Sequence, residues 1–184
     1  MIRCPWCEGD ELYTRYHDEE WGTPVHNDRT LFEFLVLESA QAGLSWITIL
    51  RKRENYREAY DDFNPHLVAS YGWEKLQQLL SNPGIVRNRR KIASSISNAQ
   101  RFLEVQKEFG SFDSYIWSFT EGKTIVNHWD SIEQVPCFSH LSDKISRDLK
   151  SRGFTFLGTK IIYSYLQAVG IIDDHIEKCF RRSR

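Results

Sequence analysis

Nothing in this chain approaches the run of roughly 20 apolar residues needed to span a bilayer, so a membrane span is not expected. The opening Met1-Ile2-Arg3-Cys4-Pro5-Trp6-Cys7 has no apolar stretch of the signal-peptide kind, which points to a cytoplasmic protein. Cysteine is scarce, and in a reducing compartment Cys4, Cys7, Cys137 and Cys179 are better suited to metal than to disulfides. Positive charge is not in excess: the net charge of −1 does not by itself announce a nucleic-acid binder. Internal repeats and low-complexity linkers are missing, and 184 residues suit one domain, or one with a small appended lobe. Strand signals are nearly absent. Only 124–128 and 154–157 look extended, and both are too short for a sheet.

What is present is helical periodicity. Asp28 can cap a helix over about 29–42, with Leu31, Phe34, Leu35, Glu38 and Ala42 on one face and Gly43 as the stop. Ser45 opens a second helix to about 60, with Trp46, Ile49, Leu50, Arg53 and Tyr56 or Arg57 along one side. Short helices follow at Pro65 and over 73–80. After the break at Asn82-Pro83-Gly84 comes the longest periodic run, about 87–109, with the stripe Ile92, Ile96, Ala99, Phe102 or Leu103, and Phe109. One more turn fits 113–119, 120–138 is irregular, and two helices fit 142–152 and 159–169, capped by Gly153 and Gly170. The fold class is all-α.

Charge and aromatics are unevenly spread. Residues 1–20 carry six acids against two arginines, whereas cations cluster at 51–53 and 87–91. Aromatics make up 14% of the chain, with six tryptophans. Trp6, Tyr13, Tyr16 and Trp21 crowd one short polar segment, either as a packed lobe or as a binding surface.

Four groups of residues carry chemistry. His175 and Cys179 are four apart, so a helical turn would put imidazole and thiol on one face, a nitrogen and sulfur pair suited to zinc. Cys4 and His17 could complete the set and tie the termini together, although Cys4-x-x-Cys7 is also a metal spacing. Glu38 falls on an apolar helix face, where a carboxylate must be paired internally or must meet a ligand. Four cations among residues 87–91 oppose the dipole of the helix they open. With Gly84 just before them, they outline a turn that can approach a phosphate; a solvated helix start is the other reading. Finally, Gly43-Leu44 offers one apolar side chain on a small-residue turn, either a wedge for a base stack or a plain helix corner.

These blocks resemble the bacterial 3-methyladenine DNA glycosylase I family. The resemblance is carried by Tyr16-His17-Asp18-x-Glu20-Trp21-Gly22, by Leu37-Glu38-x-x-Gln41-Ala42-Gly43-Leu44-Ser45-Trp46-Ile47-Thr48, and by Lys52-Arg53-Glu54-Asn55-Tyr56. Gly84-Ile85-Val86-Arg87-x-Arg89-x-Lys91-Ile92, Arg152-Gly153-Phe154-x-Phe156-Leu157-Gly158-Thr159 and Asp174-His175 with Cys179 complete it. It runs from residue 4 to about 180.

The resemblance implies a helix-hairpin-helix DNA glycosylase with one structural Zn2+ on Cys4, His17, His175 and Cys179, which prefers His17 to Cys7. It implies a base pocket of Trp6, Tyr13, Tyr16, Trp21, Glu38 and Trp46, with Glu38, Tyr16 and Trp46 closest to the chemistry. DNA contacts are expected at Gly43, Leu44, Gly84, Arg87, Arg89 and Lys91. The hairpin lacks the two-glycine pattern of many such motifs, and Cys7, Arg181, Arg182 and Arg184 are local features. The 184 residues are expected to form one unit of two helical lobes, about 28–120, and 1–27 with 121–184. A monomer acting on double-stranded DNA carrying 3-methyladenine is expected. Two alternatives are an inert zinc-stabilised DNA-binding module, which would not need Glu38, Tyr16 and Trp46 together, and an aromatic cage for a small cation, which would not need the basic cluster.

Overall fold

The helix α2, Asp28–Gln41, runs through the middle of the molecule and is buried on every side from residue 31 to 40. This computed structural model describes residues 1–182; Arg184 lies outside the described residues. Around α2 pack α3 (Trp46–Ala59), α6 (Arg89–Phe109), α7 (Phe112–Ser118) and α9 (Thr159–Ala168). Leu31, Phe32 and Leu37 have no exposed surface, and each such side chain contributes roughly 1.5–3 kcal/mol of burial. The other helices are α1 (Glu11–Glu19), α4 (Pro65–Ala69), α5 (Trp73–Ser81) and α8 (His140–Ser151).

The start of α2 differs from expectation. Asn27, not Asp28, is its N-cap and accepts from Thr30 N–H. Asp28 instead reaches across the chain to accept the backbone N–H groups of Phe112 and Asp113 at the start of α7. A carboxylate there meets two orphan donors and the positive end of that helix.

Helix α1 has no counterpart in the sequence reading. Asp10 caps it through Tyr13 N–H, and its sequence mixes polar residues with the aromatics that later line a cavity. The α6 stripe also differs in detail: Ser95 and Asn98 are buried on it, while Phe109 is 37% exposed under the Arg152 guanidinium. Residues 154–157 form no strand.

The 124–128 stretch does contribute a short strand, β1 (Ile125–Val126), paired in parallel with β2 (Ile172–Asp173). Val126 pairs with Asp173, and Asn127 N–H donates to Asp173 O. This ladder fixes the segment that delivers Asp173, Asp174 and His175. Among the described residues no helix is long and apolar enough to cross a membrane.

Candidate active site

A cavity of ≈ 370 Å³ opens between α1, α2, the start of α3, the 132–137 loop and α9. Its lining includes Trp6, Tyr13, Tyr16, Trp21, Glu38 and Trp46, so all six pocket residues expected from the sequence meet at one place. Trp6 stands 4.8 Å from Tyr13 and 5.1 Å from Trp21, and Tyr16 lies 5.6 Å from Trp46, ring centroid to ring centroid. These tilted faces present π-density, which attracts a cation and stacks on a purine.

Glu38 is 3% exposed, and among the described residues its Oε2 has no hydrogen-bond partner and the carboxyl forms no ion pair that would offset the cost of burying it. Burial pushes its carboxyl up to about 8. The indole Nε1 of Trp46 is likewise buried and unpartnered. Burial also raises the Tyr16 phenol well above its ordinary range. A carboxyl and an indole N–H left unsatisfied beside one cavity are suited to a ligand that bears both a donor and an acceptor.

Behind this wall lies a buried cluster. One ligand atom each from Cys4, His17 and Cys179 lies within 4.8 Å of the others, close enough to hold a metal ion. His17 Nδ1 donates to Asp18 Oδ1 at 2.8 Å, leaving Nε2 to face Cys4 N and Cys179 Sγ, each at 3.4 Å. Asp18 is in turn gripped by Arg3. The Cys4 thiol and His17 hold the Cys179 sulfur well below the ordinary thiol range, and Cys4 is pushed up as it keeps the shared proton.

His175 is outside that triangle, but its ring centroid is 5.0 Å from that of His17, its Nδ1 donates to Asp173 Oδ1, and its buried Nε2 has no partner. Two imidazoles, each oriented by a carboxylate on Nδ1, with Nε2 of His17 turned to the thiols and Nε2 of His175 unpartnered, fit with the two cysteines a zinc donor set. The expected helical turn at 175–179 is absent; these residues form a tight turn, with Cys179 N–H donating to Ile176 O. Gly22 admits the imidazole, because a Cβ there would lie 2.7 Å from His175 Cε1. Cys7 is buried nearby, but its Sγ–H donates to Cys4 O, outside the cluster.

The cluster and the cavity share walls. Trp6 packs 5.3 Å from the His17 ring, and Trp21 packs 4.6 Å from His175. The far wall was not anticipated. It comes from α9, with Lys160, Tyr163, Ser164 and Gln167, and from the 132–137 loop. Polar residues at spacings of three and four in an otherwise apolar helix were the available signal. Asp174, fully buried, accepts from Tyr163 Oη–H at 2.6 Å and from Gln167, Asn127 and Trp129, each at 2.7 Å.

The residues read as DNA contacts occupy two turns. Leu44 is 40% exposed on the α2–α3 turn, which is closed by Leu44 N–H donating to Gln41 O. In the α5–α6 turn, Gly84 N–H donates to Asn82 Oδ1, and a Cβ on Gly84 would meet the Asn55 Cβ at 2.9 Å. Arg87 and Arg89 are exposed, the latter with its guanidinium 5.3 Å from the Trp73 ring centroid. Lys91 points inward, its Nζ donating to Ala40 O and Ala42 O, and its partial desolvation lowers the pKa. It closes off the C-terminal carbonyls of α2 and thereby ties the two turns together.

Residues 6–182 match the family model described as methyladenine glycosylase. The chain is 42% identical over 179 residues to the DNA-3-methyladenine glycosylase 1 of Escherichia coli strain K12, covering 97% of this chain and 96% of that one. A crystal structure of 3-methyladenine DNA glycosylase I superposes with a TM-score of 0.96 at 44% identity, over 99% of this chain and all of the other. A variant of 3-methyladenine DNA glycosylase I in complex with 3-methyladenine superposes equally well, with a TM-score of 0.96 at 35% identity, over 100% of this chain and 99% of that one.

Proposed function

Because the chain belongs to the methyladenine glycosylase family, we propose that it hydrolyses the N-glycosidic bond of 3-methyladenine in alkylated DNA, gripping the damaged base in the cavity around Glu38. The observation that carries this reading is the unpartnered Glu38 carboxyl in an aromatic-walled cavity. An inert DNA-binding module has no use for such a costly arrangement.

Methylation at N3 gives the purine positive charge and makes it a better leaving group. The aromatic faces of Trp6, Tyr13, Tyr16, Trp21 and Trp46 favour that cation at roughly 0.5–2 kcal/mol per contact. Glu38 accepts from the exocyclic amine; as the cationic base enters, the carboxyl proton passes to solvent and the carboxylate left behind matches the charge of the base. An unmodified adenine keeps the amine but, being neutral, forfeits the cation–π attraction. The target must first leave the helix, at a cost of a few kcal/mol that is lower at a weakly paired lesion.

The α5–α6 turn is read as a helix-hairpin-helix clamp, with Gly84, Arg87 and Arg89 on the phosphates. Gly43 and Leu44 fill the gap left by the flipped base, and Lys91 braces that turn. Cys4, His17, His175 and Cys179 would hold one zinc ion, which supplies folding energy and, with four protein ligands, no open coordination position. Because Trp6 and Trp21 pack on the His17 and His175 rings, an ion held there would brace the pocket. The reading extends to a cytoplasmic monomer of two helical lobes acting on double-stranded DNA. It is tested by chromatographic analysis of bases released from methylated duplex: 3-methyladenine should appear, and binding without release would contradict it.

A further inference from the structure

We propose that Phe156 is a second apolar contact to duplex DNA, placed across the cavity mouth from Leu44; this rests on the glycosylase reading above. Phe156 adopts a left-handed backbone, φ 57°, and is 39% exposed. A bulky residue pays for that conformation. Phe63, with φ 53°, is compensated by being 1% exposed; Phe156 gains no comparable burial.

The strain is imposed by the surroundings. Buried Asn98 grips Thr155 twice, Nδ2 donating to its O and Oδ1 accepting from its N–H, both at 2.9 Å. Ser146 Oγ–H donates to Leu157 O at 2.7 Å. Phe154 and Leu157 are buried on either side, so the loop is pinned with one aromatic turned out. Strain over-determined in this way marks positions held for a ligand.

Placement supplies the ligand. Asn98 follows Lys91 by seven residues, two turns along the same face of α6. Lys91 holds the turn that carries Leu44, and Asn98 holds the loop that carries Phe156. The anchors are thus about 10 Å apart, roughly three base steps. Both loops adjoin residues that line the cavity, Gln41 before the Leu44 turn and Lys160 after the Phe156 loop. A mouth that takes a base out of a duplex must lie against that duplex, and an exposed aromatic with a lysine four residues on fits sugar, base and phosphate.

The test compares Phe156→Gly and Phe156→Leu with the wild type for thermal unfolding, binding of free 3-methyladenine, affinity for an abasic-analogue duplex, and single-turnover base release. Glycine relieves the left-handed strain, so its melting temperature should equal or exceed that of the wild type, with free-base binding unchanged. Duplex affinity and release should fall about tenfold, the order of one aromatic–base contact, and leucine should recover part of the loss. Duplex affinity and release matching the wild type overturn the proposal. So does a parallel loss of melting temperature and free-base binding, which would make Phe156 a packing residue. Concentration-dependent dimerisation abolished by Phe156→Gly, with duplex affinity unchanged, would assign the surface to a second copy and also overturn it. A wild type that releases no base sinks the glycosylase reading itself; an active wild type matched by Phe156→Gly sinks this inference alone.

Discussion

Glu38 and Trp46 line one cavity, and each buries a polar atom that has no hydrogen-bond partner among the described residues: Oε2 of the carboxyl and the Nε1–H of the indole. Each such atom costs about 1–3 kcal/mol in a folded protein. A ligand that pairs with both removes the cost, so binding strength is gained here at the expense of the protein's own stability.

That expense has a pH signature. The Glu38 carboxyl is raised from 4.5 to about 8 by burial. Between those values the folded chain keeps a proton that the unfolded chain releases, so stability falls as pH rises through the window, by up to about 1.4 kcal/mol per pH unit. Glu38→Gln removes this loss. The variant should gain melting temperature relative to the wild type as pH rises from 5, with the gain levelling above about 8. Parallel melting curves at every pH would show that Glu38 is not the buried neutral acid described.

Removing the proposed zinc should loosen the pocket. Purified protein should carry one zinc per chain, and a strong chelator should lower the melting temperature while shifting tryptophan emission, because Trp6 and Trp21 pack on the His17 and His175 rings. Asp18→Asn, which spares the four proposed ligands, should weaken zinc affinity about 10–100-fold. Zinc retained at full occupancy after both His17→Ala and Cys179→Ala would place the ion elsewhere.

Arg53 is 8% exposed and joins Glu33 at 2.7 Å and Glu20 at 2.7 Å, while its guanidinium lies 5.1 Å from the Phe34 ring that stacks on Trp46. Arg53→Ala leaves the buried Glu33 with only Arg57 and should cost about 3 kcal/mol in urea unfolding. Arg53→Met combined with Glu33→Gln should recover much of it. An unchanged midpoint for Arg53→Ala would mean the network carries no net stability.

Gly84 has no room for a side chain against Asn55. Gly84→Ala should displace the turn and weaken duplex binding, while Arg87→Ala should weaken it for all sequences and reduce the salt slope by about 1. Free-base binding should survive both. Unaltered salt dependence in Arg87→Ala would remove the α5–α6 turn from the interface.

The sequence carried the helices because periodicity is local, and it marked Glu38 as an anomaly on an apolar face; the other residues of the near wall were joined to it through the family resemblance. It did not carry contacts set by tertiary packing. The pairing of Val126 with Asp173, the reach of Asp28 to α7 and the α9 wall all join residues dozens of positions apart. Lys91 read as a surface cation because its charge is visible in sequence, whereas the α2 carbonyls it serves are not. Helix α1 escaped because its aromatics serve a cavity and a buried cluster rather than one apolar stripe.

The most direct test is side-by-side base release from methylated duplex DNA by the wild type and Glu38→Gln, both with zinc measured. The wild type should release 3-methyladenine, with a rate that rises toward pH 8, and the variant should lose on the order of 100-fold in rate while remaining folded. Near-normal release by Glu38→Gln, or DNA binding without release by the wild type, would contradict the account.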